Sequence, residues 1–159
     1  MANNYNLWAQ SVSLNTPEES DWMYEVLFLS DENDLKLKQE KLVQLGFNLE
    51  DISDCTNFPN FDYQFHKDEV TFYADEHSFS GGDIEHLIEI MKVFLSKFDA
   101  EGYFSMTWAS VCSKMRSGEF GGGCLFVTAN DCSVVDISSI VRSYTNQHKK
   151  EIENKNSLK

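Results

Sequence analysis

Apolar residues recur along this chain with two periods, two and about 3.6, and each change of period marks a change of predicted secondary structure. From Leu7 to Leu14 the pattern alternates, with Trp8, Val12 and Leu14 on one side, and predicts a first strand. Thr16-Pro17-Glu18-Glu19 then reads as a capping box with proline at the first helical position. The threonine hydroxyl and the Glu19 carboxylate can each accept from an amide that the first helical turn leaves without a partner. Trp22, Met23, Val26 and Leu29 follow at helical spacing as a buried stripe. A second helical stretch over 34–45 carries Leu35, Leu42 and Leu45 and stops at Gly46, which suits a left-handed cap. The pattern leaves open whether this stretch continues the first helix.

Phe61, Tyr63 and Phe65 alternate with Asp62, Gln64 and His66, and Lys67-Asp68-Glu69 turns the chain into Val70–Ala74, which predicts a hairpin. After Ser80-Gly81-Gly82, Asp83 caps the most regular amphipathic helix, with Ile84, Leu87, Ile88, Met91, Phe94, Leu95 and Phe98 on one broad face and Gly102 beyond its end. Residues 103–113 and 124–128 are the next two strands. Asp136 opens a final helix with Ile137, Ile140, Val141 and Tyr144 turned inward. The order β-α-β-β-α-β-β-α, with hairpins in place of most long crossovers, predicts an α+β fold. The expectation is a single domain over 1–148, with an about five-stranded antiparallel or mixed sheet and two or three helices packed on it, ferredoxin-like in flavour. Residues 149–159 are expected to form a polar tail.

Composition supports a folded core: 42% of the 159 residues are apolar and 13% aromatic, enough to offset ordering entropy despite a net charge of -13. The acid is concentrated, because residues 1–101 carry 21 Asp/Glu and 6 Lys/Arg while residues 102–159 carry 5 and 7. Such a front repels phosphate backbones and anionic lipid, so neither direct nucleic-acid binding nor a membrane is expected, and a basic protein is the natural partner. Asp75, Glu76, Asp83, Glu85 and Glu89 are the expected interaction surface; Glu85 and Glu89 stand four apart on the amphipathic helix, where like charges oppose its stability. The first residues show no leader pattern and no apolar run reaches bilayer length. Cys55, Cys112, Cys124 and Cys132 form no Cys-x-x-Cys pair and are read as free thiols, which fits a cytoplasmic location.

The segment from Ser105 to Thr128 places Lys114, Arg116 and Glu119 beside the run Gly121-Gly122-Gly123, between two strand-like stretches. One reading is a wide or bulged hairpin loop, with Lys114 and Arg116 solvated or paired with Glu119. The other is an anion nest, in which the glycine amides and the two cations converge on a phosphate or carboxylate. The glycines precede a strand, so they match neither a Walker loop nor a dinucleotide fingerprint. Cys112 alternates with Met106 and Trp108 as a buried small hydrophobe would, although its cationic neighbours could lower a thiol pKa; no histidine lies near it in sequence to act as base. His66, His77, His86 and His148 have no metal-ligand spacing. No catalytic residue, metal or cofactor is assigned.

Thr107-Trp108-Ala109, Cys112-Ser113-Lys114-Met115-Arg116, Glu119-Phe120-Gly121-Gly122-Gly123 and Phe126-Val127-Thr128 together resemble a segment shared by a family of small proteins of unknown function carried by phages, plasmids and other mobile elements. That resemblance implies a mobile-element origin and no particular activity. The leading expectation is a non-enzymatic acidic interaction protein that binds, and by binding inhibits, a basic host or defence protein. The alternative is an anion- or nucleotide-binding domain, or an enzyme, centred on Lys114, Arg116 and Gly121–Gly123.

Overall fold

The computed structural model describes residues 4–74, 84–112 and 121–157. These residues form six strands, β1 (Asn4–Ser13), β2 (Asp62–His66), β3 (Glu69–Ala74), β4 (Phe104–Cys112), β5 (Gly121–Val127) and β6 (Cys132–Asp136). They also form four α-helices, α1 (Pro17–Phe28), α2 (Leu35–Leu45), α3 (Ile84–Phe98) and α4 (Ile137–Ser157). One sheet runs in the order β2-β3-β1-β4-β5-β6, with every neighbouring pair antiparallel. This is the α+β fold that the periodicity predicts, with one strand more than expected. Its first four strands have β1 and β3 side by side, α1 and α2 leading to β2, and α3 leading to β4, which is the split β-α-β arrangement of ferredoxin-like sheets. Strands β5 and β6 and helix α4 extend that unit beyond β4.

Local chemistry explains the helix boundaries. Thr16 Oγ1 accepts from the Glu19 amide at 3.2 Å, and the Glu19 carboxylate accepts from the Asn15 amide, so the capping box forms one residue wide of its usual register. The question of one helix or two is settled by Asp34. Its backbone is extended and its carboxylate accepts from the Lys36 and Leu37 amides at 3.0 and 3.1 Å, which starts α2 afresh after a 3-10 turn at Leu29–Asp31. Gly46 closes α2 at φ 104°, and the Phe47 amide returns to Leu42 O at 3.0 Å.

Inward residues of the strands and helices make one core. Val70, Phe72 and Ala74 from β3, Trp8 from β1, Phe104 and Met106 from β4, and Leu125 and Val127 from β5 are buried against Met23, Val26, Leu27, Leu42, Leu87, Ile90 and Met91 of the helices. The register pairs Met106 with Leu125 and Phe104 with Val127, whereas exposed Thr107 and Ser105 pair with exposed Cys124 and Phe126. The sheet therefore buries one face under α1–α3 and leaves the other open.

Two expectations fail at the C-terminal end. Strand β6 was not predicted; the Thr128 amide donates to Asp131 O at 2.8 Å and the Asp131 amide to Thr128 Oγ1 at 3.1 Å, a tight turn that folds Cys132–Asp136 back along β5. Helix α4 starts at Asp136, as expected, with its carboxylate accepting from the Ser138 and Ser139 amides. Its apolar stripe does not turn inward: Ile137, Ile140, Val141 and Tyr144 are 51, 43, 59 and 69% exposed. The reason is topological. Helix α4 leaves the last strand of the sheet and meets chiefly β5 and β6, while the core face of the sheet is covered by α1–α3. The helix runs on to Ser157, so the polar residues from Lys149 form its last turns.

Candidate functional site

The residues singled out from the sequence are dispersed. Lys114, Arg116 and Glu119 lie outside the described residues, as do Asp75, Glu76 and Asp83. Gly121, Gly122 and Gly123, read as loop, are strand residues paired with Ser110, Ala109 and Trp108. In a strand, successive amides point to opposite edges, whereas a nest needs them turned toward one point. Gly123 has a packing reason to lack a side chain, since a Cβ there would run into the Trp108 ring and Val135 O. Cys112 ends β4 opposite Asn4, and its side chain lies outside the described residues.

On α3, Glu85 is exposed, but Glu89 binds Lys92 Nζ at 2.9 Å, and that bond raises the lysine pKa. The like-charge pair expected there is thus offset by a cation three residues on. His86, one of the four histidines without metal-ligand spacing, is 1% exposed with its ring 4.9 Å from that of Phe58. Among the described residues no group of His, Cys, Asp and Glu is placed to hold a metal, and no helix is long and apolar enough to cross a membrane.

The structure assembles a different site. Helix α1 carries a second apolar stripe besides its buried one: Tyr24 and Phe28, each 54% exposed, stack at 5.6 Å and 19° between planes, and Tyr24 meets Phe65 of β2 at 5.4 Å. Tyr24 and Phe28 line a groove of about 510 Å³ between the end of α1 and α2, with Leu29 and Leu45 also in its wall. Its rim is acidic. Glu25, Asp31 and Glu32 line it with one cation, Lys41, which binds Glu32 at 2.9 Å. That bond, with the Asp34 amide as a second donor, holds the Glu32 carboxyl below its ordinary pKa. Trp22 fixes the groove from beneath: its Nε1 donates to Leu45 O at 3.0 Å, and its ring lies parallel to that of Phe47.

A second feature without a sequence signal is Lys38, whose side chain is inside the protein at 1% exposure. Its ammonium donates to Thr56 O at 2.9 Å and so ties the segment before β2 to α2. Burial lowers its pKa, and the charge of Asp54 opposes that shift. Burial also raises the pKa of neighbouring Cys55. An amine covered this completely leaves no room for a substrate, so it acts as a fastening.

No family model, curated protein or solved structure matches this chain. The groove stands on its own geometry.

Proposed function

We propose that this chain is a non-enzymatic interaction protein whose acidic face receives a basic partner, with an amphipathic, cationic segment of that partner seated in the α1–α2 groove. The observation that carries this reading is an exposed aromatic stack inside an acidic rim. Apolar area on Tyr24 and Phe28 supplies affinity, and Glu25, Asp31 and Glu32 supply attraction and orientation, as in helix-in-groove recognition. The charge around the groove points the same way. Residues 16–54 carry 11 Asp/Glu against Lys36, Lys38 and Lys41. Lys38 is buried, Lys41 is engaged by Glu32, and Lys36 approaches Glu40 at 4.0 Å, while Glu25 and Asp31 on the groove rim are exposed. The resemblance of the central segment to mobile-element proteins supports a host or defence protein as the partner. Occupying a basic surface on such a protein would inhibit it by competition with nucleic acid.

The test is affinity capture from host lysate through a series of salt washes, comparing the natural chain with Glu25→Lys/Asp31→Lys and with Phe28→Ala. A partner of the groove is retained at low salt, elutes as salt rises, and is lost or released earlier from both variants. Retention of the same proteins at the same salt by all three chains would overturn the groove, and retention of none at low salt would overturn the interaction reading.

A further inference from the structure

We propose that β6 and the first turns of α4 form a two-fold interface with a second copy of this chain. The inference is independent of the groove, which lies beside β2 at the opposite edge of the sheet.

Three observations converge on this edge. The sheet ends at β6, which pairs with β5 on one side and, among the described residues, with no strand on the other. The strand is Cys132-Ser133-Val134-Val135-Asp136, without the proline, lysine or bulge that usually blunts an exposed edge. Val134 and Val135 are 53 and 38% exposed, and the chain passes from them directly into the exposed stripe of Ile137, Ile140, Val141 and Tyr144. The stripe has the i, i+3, i+4, i+7 spacing of a helix face that packs against something. It is followed by Lys149 and Lys150, so the apolar surface is confined to the turns next to β6.

The occupant follows from size and symmetry. Val134 stands opposite buried Leu125 and Val135 opposite exposed Cys124, so the two valines flank the edge on opposite faces, and with the four α4 side chains the apolar area exposed along this edge is on the order of 600 Å². Two such faces brought together approach the roughly 1,200 Å² at which stable interfaces begin. Antiparallel pairing of one strand with its own copy is two-fold by construction, so one edge supplies both halves of the contact. Centring that pairing on Val134 sets the two Asp136 carboxylates at opposite ends and brings valines, not like charges, together at the axis. The stripe cannot serve the α1–α2 groove of its own chain: it begins at β6, five strand spacings or about 24 Å from β2.

Sedimentation of the full chain between about 1 and 100 μM, with hydrogen exchange of the β6 amides, tests the proposal. The expected result is a two-chain species whose β6 amides are protected. Ile140→Glu and, separately, Tyr144→Glu enter the two-fold contact twice and should each weaken the dimer about 100-fold or more, exposing the β6 amides. Both positions are exposed in the single chain, so far-ultraviolet circular dichroism should be unchanged and a folding failure is recognisable. A one-chain mass at every concentration overturns the proposal, as does a dimer that survives both substitutions or leaves the β6 amides unprotected.

Discussion

Replacing Trp22 with phenylalanine tests how the groove is held. Trp22 is 4% exposed, its Nε1 donates to Leu45 O at 3.0 Å, and the rings of Phe47, Phe94 and Phe98 surround it at 5.9, 5.9 and 6.0 Å. Phenylalanine retains a six-membered ring and part of this stacking. It has no donor, so Leu45 O, one of the last carbonyls of α2, stays buried without a partner at a cost of about 1–3 kcal/mol. The lost ring atoms leave space that the neighbours fill only in part, which costs roughly 1 kcal/mol more. The expected loss is therefore about 2–4 kcal/mol, a large share of the 5–15 kcal/mol typical of a domain. Urea unfolding followed by far-ultraviolet circular dichroism measures it without relying on tryptophan emission. Tyr24→Phe, on the exposed side of the same helix, should leave the midpoint unchanged. A loss below about 0.5 kcal/mol for Trp22→Phe would refute the reasoning, because that is the scale of a surface substitution with no role.

Lys38→Met should change the response of stability to alkali. Because burial lowers the folded pKa below the unfolded value near 10.4, both states hold the proton at neutral pH and the folded state bears the full penalty; as pH rises through the folded value only the unfolded chain keeps it, and stability increases until the unfolded value is passed. The natural chain should therefore gain on Lys38→Met between those two values in denaturant titrations, and parallel curves would show that the amine titrates normally. Gly123→Ala should destabilise by about 1–3 kcal/mol, since the new Cβ meets the Trp108 ring and the Val135 carbonyl, while Gly121→Ala, with Ser110 Cβ 4.0 Å away, should be tolerated. Equal midpoints for the two alanine variants would sink that account of Gly123.

Elements whose information is local were legible in the sequence. The Thr16 box, the Gly46 cap and the Lys67-Asp68 turn each act within four residues, and α3 announces itself by one broad apolar face. What failed depends on neighbours distant along the chain. The stripe of α4 has the same spacing as a buried one, and only its place after an edge strand leaves it uncovered. Strand β6, Cys132-Ser133-Val134-Val135-Asp136, has its two valines adjacent and so shows no period two, and the turn before it, Thr128-Ala129-Asn130-Asp131, has no glycine to announce a hairpin. The groove was hidden for a related reason. Trp22, Met23 and Val26 dominate the helical pattern of α1, and Tyr24 and Phe28 gain meaning only when α2 and β2 arrive beside them. Lys38 reads as a surface lysine until the carbonyl of Thr56, eighteen positions on, covers its amine.

The α1–α2 groove and the free edge of β6 lie at opposite edges of one sheet. A dimer joined through β6 becomes a twelve-stranded sheet with a groove near each outer edge, since each copy contributes the six strands from β2 to β6. At about 4.8 Å per strand the two grooves stand roughly 50 Å apart before twist shortens the span. A partner with basic segments at that spacing, or a partner that is itself two-fold, would be held at both ends. Its second contact would then form at an effective concentration set by the dimer, not by the solution. Ile140→Glu, which touches no groove residue, should on this account lower retention of such a partner while leaving the affinity of one groove for one isolated cationic peptide unchanged. Loss of both would place α4 in the recognition surface itself, and loss of neither would mean that each groove acts alone.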